Sequence, residues 1–363
     1  MLRAVAAAMI VVLHGYEYVK LTTGVGLPLE TLQFPMGAGV DLFFVISGFI
    51  IVYSSEKLFA AEGRGIFIRR RLIRIVPLYW LALLARLGVL AIAARAGEKA
   101  FPGAAAILTS FLFIPYDSLG IGDRTPFPIL DVGWSLNYEM FFYAVFCLVI
   151  GFSRNRAALL LGLILLLGVV ANAVWPFAAT APAFWLQPIA LEFAAGGLLA
   201  LMVRQGVRLP IWLRILLAVA GIALWATIKV AWFGSVEELG LYSWSRLLIW
   251  GVGAMLIMAA ATLGPLKARR WPTKAMSALG DSSYALYLSH PFTVLVLVRL
   301  AAHLVPDWRG AAWLLVVAVV AISVICGHIL HVVVERPLTG WLSQRFGRKA
   351  GGPVPVDGPS SAI

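Results

Sequence analysis

The chain has 363 residues, of which 61% are hydrophobic and only 13% are charged, and its mean hydropathy is +0.92. An ordinary soluble domain carries about a quarter charged residues, so this composition excludes a soluble fold. The formal net charge of +12 can indicate a nucleic-acid partner, but the Lys and Arg residues lie between the apolar runs. We therefore predict a polytopic membrane protein that binds no nucleic acid and whose basic loops attract anionic lipid.

Ten apolar runs approach the length of about 20 residues that a membrane-spanning helix needs. They lie at 2–20, 36–54, 75–95, 134–151, 157–175, 184–203, 211–233, 243–263, 279–301 and 311–334. An eleventh stretch, 103–115, is shorter and lies in a proline-rich loop, which is typical of a re-entrant or interfacial segment. The sequence predicts an all-α protein with about 10 transmembrane helices plus this short segment.

The basic residues predict the orientation of these helices. If 103–115 does not span, the loops alternate in sign, and most Lys and Arg residues fall on one side of the membrane. The positive-inside rule makes that side the cytoplasm and places both termini there. We expect a transmembrane domain over 1–337 and a cytoplasmic tail over 338–363, which is rich in Gly, Pro and Ser and disordered from about 350.

Several ionisable residues lie inside the apolar runs, where each costs a few kcal/mol and usually faces the protein interior or a water-filled cavity. They are His14, Asp41, Arg86, Glu139, Glu192, Lys229, His290, His328 and His331. Only two cysteines occur, Cys147 and Cys326, so the sequence offers no thiolate metal site, and we predict no metal.

Helical rise predicts the depth of these residues. His14 lies eleven residues above Arg3, or roughly 16 Å, and His290 lies eleven residues above Leu279. Asp41 and Glu139 each follow the outer end of a descending run by one to two turns, so all four share one layer in the outer half. A carboxylate that orients an imidazole makes a general base, which favours His14 oriented by Glu139 or Asp41.

Alternatives remain for the other buried groups. His290 is explained equally well as a structural histidine that bonds a carbonyl group on a neighbouring helix. Arg86 and Lys229 have long side chains that can carry their charge towards an interface, so we assign them no chemistry.

A basic segment precedes the third run. In FIRRRLIRIVPLYW, Arg71 and Arg74 stand at i and i+3 on one helix face, and guanidinium groups bind phosphate oxygens with charge-assisted hydrogen bonds. The pair predicts a site for a phosphorylated cytosolic ligand, although a positive-inside anchor also explains a basic loop.

Six motifs together resemble the acyltransferase 3 family of bacterial membrane proteins, which includes O-antigen, exopolysaccharide and nodulation-factor acyltransferases. They are Arg3 with ten residues before His14, GVDLFFVISGF at 39–49, RRLIRIVPLYW at 70–80, GWSLNYE at 133–139, LGDSSYALYLSHP at 279–291 and ERP at 335–337. The sequences GVDLFFVISGF and GWSLNYEMFFY are most similar to those of the exopolysaccharide-production members.

This resemblance implies a bacterial inner-membrane enzyme that passes an acyl group, usually acetyl, from cytosolic acyl-CoA to a hydroxyl of an extracytoplasmic or lipid-linked glycan. By position, His14 matches the family's essential histidine and Glu139 its carboxylate, and Asp41 joins them as a catalytic candidate. The donor site then contains Arg3, Ser47, Gly48, Phe49, Arg70, Arg71, Arg74 and Tyr79. His290, Tyr287 and Trp134 are substrate-binding or supporting residues.

The predicted donor spans about half of a hydrocarbon core that is about 30 Å thick, with its phosphates at Arg71 and Arg74 and its thioester beside His14. Gly48 permits the thioester to approach closely. His14 deprotonates the acceptor hydroxyl, or else forms a covalent acyl-histidine. The competing interpretation is a transporter or flippase for a polysaccharide precursor, since intramembrane charges also mark substrate pathways.

Overall fold

The computed structural model describes residues 1–24, 35–55, 58–59, 63–117, 126–227, 243–264, 272–304 and 312–347. The regular secondary structure in these ranges is helical, with no strand among the described residues, which confirms the all-α prediction. In chain order the helices are α1 (Leu2–Thr23), α2 (Ala38–Ser54), α3 (Gly63–Arg95), α4 (Ala104–Phe111), α5 (Trp134–Val149), α6 (Arg154–Val174), α7 (Thr180–Trp185), α8 (Leu191–Arg204), α9 (Ile211–Thr227), α10 (Val252–Thr262), α11 (Pro272–Asp281), α12 (Ser283–Leu304), α13 (Ala312–Leu330) and α14 (Arg336–Gly347).

Within the described ranges, seven helical segments are long and apolar enough to cross a membrane. They are Leu2–Thr22, Gly63–Arg95, Asp131–Val149, Arg154–Val174, Trp244–Thr262, Ser283–Leu304 and Ala312–Phe346. Two shorter apolar helices, Ala38–Ser54 and Ile211–Ala226, coincide with two further predicted runs. The chain is therefore a polytopic membrane protein, as its composition predicts.

The predicted run at 184–203 is not one helix. Helix α7 ends at Trp185, a 3-10 turn follows at Pro188–Ala190, and α8 begins at Leu191. The break lies at Gln187, whose backbone is extended because the following proline disfavours the helical conformation in the residue before it. The side-chain amide of Asn172 donates to the carbonyls of Ala183 and Leu186 and so satisfies polar groups near this break.

The stretch at 103–115 contains only α4, whose eight residues extend about 12 Å, far less than a hydrocarbon core of about 30 Å. Helix α3 tethers the end of α4: the Tyr79 hydroxyl donates to the Ser110 carbonyl at 3.1 Å, and Trp80 Nε1 donates to the Phe111 carbonyl at 3.0 Å. This short segment therefore does not span, as its length predicts.

Helix α3 begins at Gly63, well before the predicted start of its apolar run at residue 75. The intervening arginines lower the hydropathy, but arginine is a good helix former, so the helix continues through them. The basic segment is consequently part of a continuous helix of 33 residues, which contains Pro77.

The described residues form two compact units. The first contains α1, α2 as far as Phe43, and α9 to α14; within it α1, α12 and α13 pack together, α11 packs on α1, and α9 packs on α10. The second contains α2 from Phe44 onwards, α3 to α8, and a turn of helix at Trp244–Arg246. In this second unit, α5 packs on α3 and α6, and α6 packs on α8.

The last described helix, α14, follows a π-helical turn at His331–Glu335 and continues across residue 337 to Gly347. The domain boundary expected at residue 337 stays a prediction. Residues from 348 onwards, like Lys229, lie outside the described residues, so the disorder predicted from about 350 stays a prediction.

Candidate functional site

The first unit brings two of the predicted residues into direct contact. Nδ1 of His14, on α1, lies 2.8 Å from Nε2 of His290, on α12, and the ring centroids are 5.0 Å apart. His290 is completely buried, whereas His14 is half-buried. We call these two residues the histidine pair; their contact agrees with the equal depth that helical rise predicts.

Apolar side chains lie on both sides of the histidine pair along the same helices. One cluster, at Ala7, Val11 and Leu286, precedes both histidines in sequence. The other follows them and contains Val19, Val294, Val298, Ala312, Leu315, Val316 and Val319. The Tyr287 ring, 5.8 Å from the His290 ring and 6.0 Å from Phe43, adds an aromatic wall. Such low-dielectric surroundings strengthen a hydrogen bond between the two imidazoles.

Close packing of α13 holds the His290 helix in place. A Cβ atom added at Gly327 would lie 2.6 Å from Cα of Leu286, so glycine is required for the helices to approach this closely. Three residues after His290, the hydroxyls of Thr293 and Ser323 form a hydrogen bond of 2.8 Å between α12 and α13. The ring of His290 is therefore carried by a fixed backbone.

The second unit gathers a different set of predicted residues. The Arg71 guanidinium lies over the rings of Phe67 and Tyr143, 5.5 and 5.7 Å from their centroids. The Tyr143 hydroxyl donates to Oε1 of Glu139, and Oγ of Ser47 donates to the same oxygen at 3.4 Å. Arg74 lies one helical turn after Arg71 on α3. We call this set, Ser47, Phe67, Arg71, Arg74, Glu139 and Tyr143, the arginine cluster.

The arginine cluster contains a contact that depth along the helices does not reveal. Glu139 is predicted in an outer layer above Arg71, and one tyrosine side chain contacts both residues. The residue count was sound for helix backbones, but an arginine side chain is long enough to cover more than one helical turn. Sequence analysis overlooked Tyr143 and Phe67, although each stands four residues from its partner on the same helix face, Tyr143 after Glu139 and Phe67 before Arg71.

Gly48 has a different neighbour from the one expected. A Cβ atom at Gly48 would collide with the backbone carbonyl of Phe193 on α8, and one at Gly196 would collide with the carbonyl of Val45 on α2. The space that a side chain at Gly48 would occupy is thus filled by a helix backbone. The predicted approach of a thioester to Gly48 stays a prediction. Phe49 is completely buried and stacks on Tyr53 at 5.3 Å, so it is a packing residue.

Tyr79 is also a packing residue. It is fully buried, its ring lies 4.4 Å from that of Phe113, and its hydroxyl donates to the Ser110 carbonyl. These contacts tie α4 to α3, and the predicted donor contact of Tyr79 stays a prediction. Trp134 is half-buried, and its ring meets Phe44 and the Arg246 guanidinium, 6.1 and 6.0 Å away.

The remaining candidates are Asp41, Arg3, Arg70 and Arg86. Asp41 is fully buried in the first turn of α2, and Arg3 and Arg70 are half-buried on α1 and α3. Their predicted roles stay predictions. Nε of Arg86 donates to the Ile129 carbonyl at 3.4 Å, which agrees with a structural role.

One further polar contact lies at the end of α13, where Nδ1 of His331 is 2.7 Å from Oε2 of Glu335. Among the residues that the structure describes, no group of three or more His, Cys, Asp or Glu side chains is arranged to hold a metal ion.

Comparison with known proteins gives a consistent result. A family model described as an acyltransferase domain matches residues 1–331. The chain is 35% identical over 315 residues to the exopolysaccharide production protein ExoZ of Rhizobium meliloti (strain 1021), covering 84% of this chain and 90% of that protein. It is 26% identical over 339 residues to the acyltransferase MdmB of Streptomyces mycarofaciens, covering 84% and 81%. No solved structure matches the chain.

Proposed function

Because the chain belongs to the acyltransferase family, we propose that it transfers an acyl group, with acetyl the first candidate, from cytosolic acyl-CoA to a hydroxyl of an extracytoplasmic or lipid-linked glycan. The name of the Rhizobium relative, an exopolysaccharide production protein, supports a polysaccharide as the acceptor. Family membership favours this activity over the transporter alternative. The proposal includes an inner-membrane location with both termini in the cytoplasm, which the predicted loop charges support.

The observation that carries the proposal is the hydrogen bond between His14 and His290 in an apolar setting. An imidazole held by a hydrogen bond on one ring nitrogen presents its other nitrogen in a fixed direction, as a general base requires. His14 is the half-buried member of the pair, so it is the member that meets the acceptor.

In the proposed reaction, His14 takes the proton of a glycan hydroxyl while the hydroxyl oxygen attacks the carbonyl carbon of the thioester. A carbon–oxygen bond forms and the carbon–sulfur bond breaks, so that CoA leaves as a thiolate. The proton held by His14 then passes to that thiolate, which leaves as a thiol and returns the histidine to its starting state. Protons and charge balance without a metal or a redox partner.

The arginine cluster supports a second part of the proposal, the binding of the phosphates of acyl-CoA. Two aromatic rings hold the Arg71 guanidinium, and a pre-organised guanidinium loses little entropy when it grips a phosphate. Arg74, one helical turn further on, adds a second positive charge. Glu139, through Tyr143, helps to fix this arrangement.

The test is acyl transfer by purified protein from labelled acetyl-CoA to the polysaccharide of the host cell, with the wild type compared to His14→Ala. General-base catalysis contributes about 10²–10⁴-fold, so we expect His14→Ala to lower kcat by about that factor. Mass spectrometry of the product identifies the acylated hydroxyl.

The matched control is His303→Ala, which removes an exposed imidazole at the end of α12 and should leave transfer unchanged. Undiminished transfer by folded His14→Ala protein would refute the assignment of the base, and the absence of acetyl-CoA turnover by the wild type would refute the donor.

A further inference from the structure

We propose that His290 is a positioning residue that holds His14 in one tautomer, with the proton on Nδ1, so that Nε2 of His14 is the nitrogen that takes the substrate proton. This inference rests on the proposed function and deepens it. It assigns to a second histidine the orienting task that the sequence suggested for a carboxylate.

The first step concerns the tautomer of His290. Its Nδ1 lies 3.2 Å from the carbonyl oxygen of Leu286, one helical turn earlier. A carbonyl oxygen can only accept a hydrogen bond, so Nδ1 of His290 is the nitrogen that carries hydrogen. In a neutral imidazole the other nitrogen then has a free lone pair, and for His290 this nitrogen is Nε2.

The second step transfers this assignment to His14. Nε2 of His290 is an acceptor and lies 2.8 Å from Nδ1 of His14, so Nδ1 of His14 must donate. The proton of neutral His14 is therefore on Nδ1, and its lone pair is on Nε2, which points away from the contact. His14 thus donates to His290, and His290 donates to the backbone carbonyl of Leu286.

The surroundings of His290 favour the neutral ring that this order requires. The residue is completely buried, and Leu286 and Val294, one turn before and after it on α12, belong to the apolar clusters. A charged ring there would be costly without a charged partner. It would also reverse the hydrogen bond, placing the proton of His14 on Nε2 and removing its ability to act as a base.

The pair also suits the reaction itself. When Nε2 of His14 takes the hydroxyl proton, the ring becomes a cation, and its Nδ1–H bond to His290 becomes a charge-assisted hydrogen bond. The acceptor is already in place because α12 is fixed against α13 at Gly327, so little reorganisation accompanies the proton transfer. Glu139, by contrast, accepts hydrogen bonds from Tyr143 and Ser47.

The experiment compares His290→Leu, which keeps much of the side-chain volume but cannot accept a hydrogen bond, with His290→Asn, which retains an acceptor oxygen. We expect His290→Leu to lower kcat by about 10²–10⁴-fold, as loss of the correct tautomer does in serine proteases, with KM for acyl-CoA unchanged. His290→Asn should recover part of this loss. His303→Leu, on the same helix, should have no effect.

A direct measurement accompanies the kinetics. Nitrogen-15 NMR of histidine-labelled protein in lipid vesicles, with His14→Gln to assign the signals, reports which nitrogen of His14 carries hydrogen. We expect a protonated Nδ1 in the wild type and loss of that fixed preference in His290→Leu.

Three outcomes would overturn the inference. The first is a wild-type His14 protonated on Nε2, and the second is a His290→Leu variant that folds and turns over normally. The third is equal losses in the Leu and Asn variants with the His14 tautomer unchanged, which would show that His290 is purely structural. Since the proposed function fails only if His14→Ala remains active or acetyl-CoA is not used, the two failures are distinguishable.

Discussion

The histidine pair and the arginine cluster hold their polar groups by different physical means. In the histidine pair, two imidazole rings on α1 and α12 meet through one hydrogen bond of 2.8 Å, whose direction is decisive. In the arginine cluster, the Arg71 guanidinium lies over two aromatic rings, and the Glu139 carboxylate accepts hydrogen bonds from hydroxyl groups. Proton transfer needs a nitrogen lone pair held in a fixed direction, whereas phosphate binding needs a positive charge within reach. The contrast therefore suits the proposed division, with proton transfer at the histidine pair and donor binding at the arginine cluster.

Among the effects on acyl-CoA binding, the largest is expected from Arg71→Ala. Charge-assisted hydrogen bonds contribute about 1.5–3 kcal/mol, so acyl-CoA should bind on the order of 10- to 100-fold more weakly, with Arg71→Lys between the two because it lacks the planar fork. The measurement is equilibrium binding of acyl-CoA to purified protein.

Arg69→Ala, two residues earlier on α3, is the matched control and should bind acyl-CoA as the wild type does. An acetyl-pantetheine that lacks the nucleotide phosphates should be used equally by the wild type and Arg71→Ala. If Arg71→Ala impairs both substrates alike, the cluster does not bind phosphate.

A smaller effect on acyl-CoA binding is expected from substitutions at Glu139. They also test whether this residue supports the arginine cluster or the proton chemistry of His14. Glu139→Leu removes the acceptor for Tyr143 and Ser47 and should weaken acyl-CoA binding about tenfold, because the ring beneath Arg71 is no longer held. Glu139→Gln keeps an acceptor oxygen and should bind within about threefold of the wild type, on the same hydrogen-bond scale. Normal binding by Glu139→Leu together with lost turnover would return Glu139 to the proton chemistry of His14.

The helices could be predicted from sequence better than their contacts could. A run of about 20 apolar residues is a strong local signal, and most runs became helices at the expected places. Two features were missed because a local rule other than hydropathy decided them: Pro188 interrupts 184–203, and the helix-forming arginines extend α3 back to Gly63. Length and proline content together identified 103–115 as too short to span.

For the candidate site, counting residues along a helix predicts the depth of a side chain but not the direction in which it faces around the helix axis. It put His14 and His290 at one level, yet no count along the chain states that their rings face each other or which nitrogen donates. The same count separated Glu139 from Arg71, because it followed backbones and ignored the reach of an arginine side chain. Tyr143 was detectable through its spacing from Glu139, but only with a reason to look for a hydroxyl donor.

The smallest expected effect concerns the support of the histidine pair. Thr293→Val removes the hydroxyl that pairs with Ser323, and such bonds between membrane helices average about 0.6 kcal/mol. We expect a slightly lower midpoint of thermal unfolding in detergent and unchanged kcat and KM. A large loss of turnover without loss of stability would show that the α12–α13 contact tunes the pair rather than merely supporting it.

The crossing of α2 and α8 has a consequence for genetics. At Gly48 and Gly196 the obstacle to any side chain is backbone, which cannot rotate aside as a side chain can. Substitutions at either glycine should therefore damage assembly of the helix pair and behave as temperature-sensitive alleles. Gly48 follows Ser47 directly in sequence. A mutant screen that measures only polysaccharide production would therefore mistake an assembly defect at this glycine for a defect in the active site. A measurement of protein level in the membrane separates the two kinds of defect.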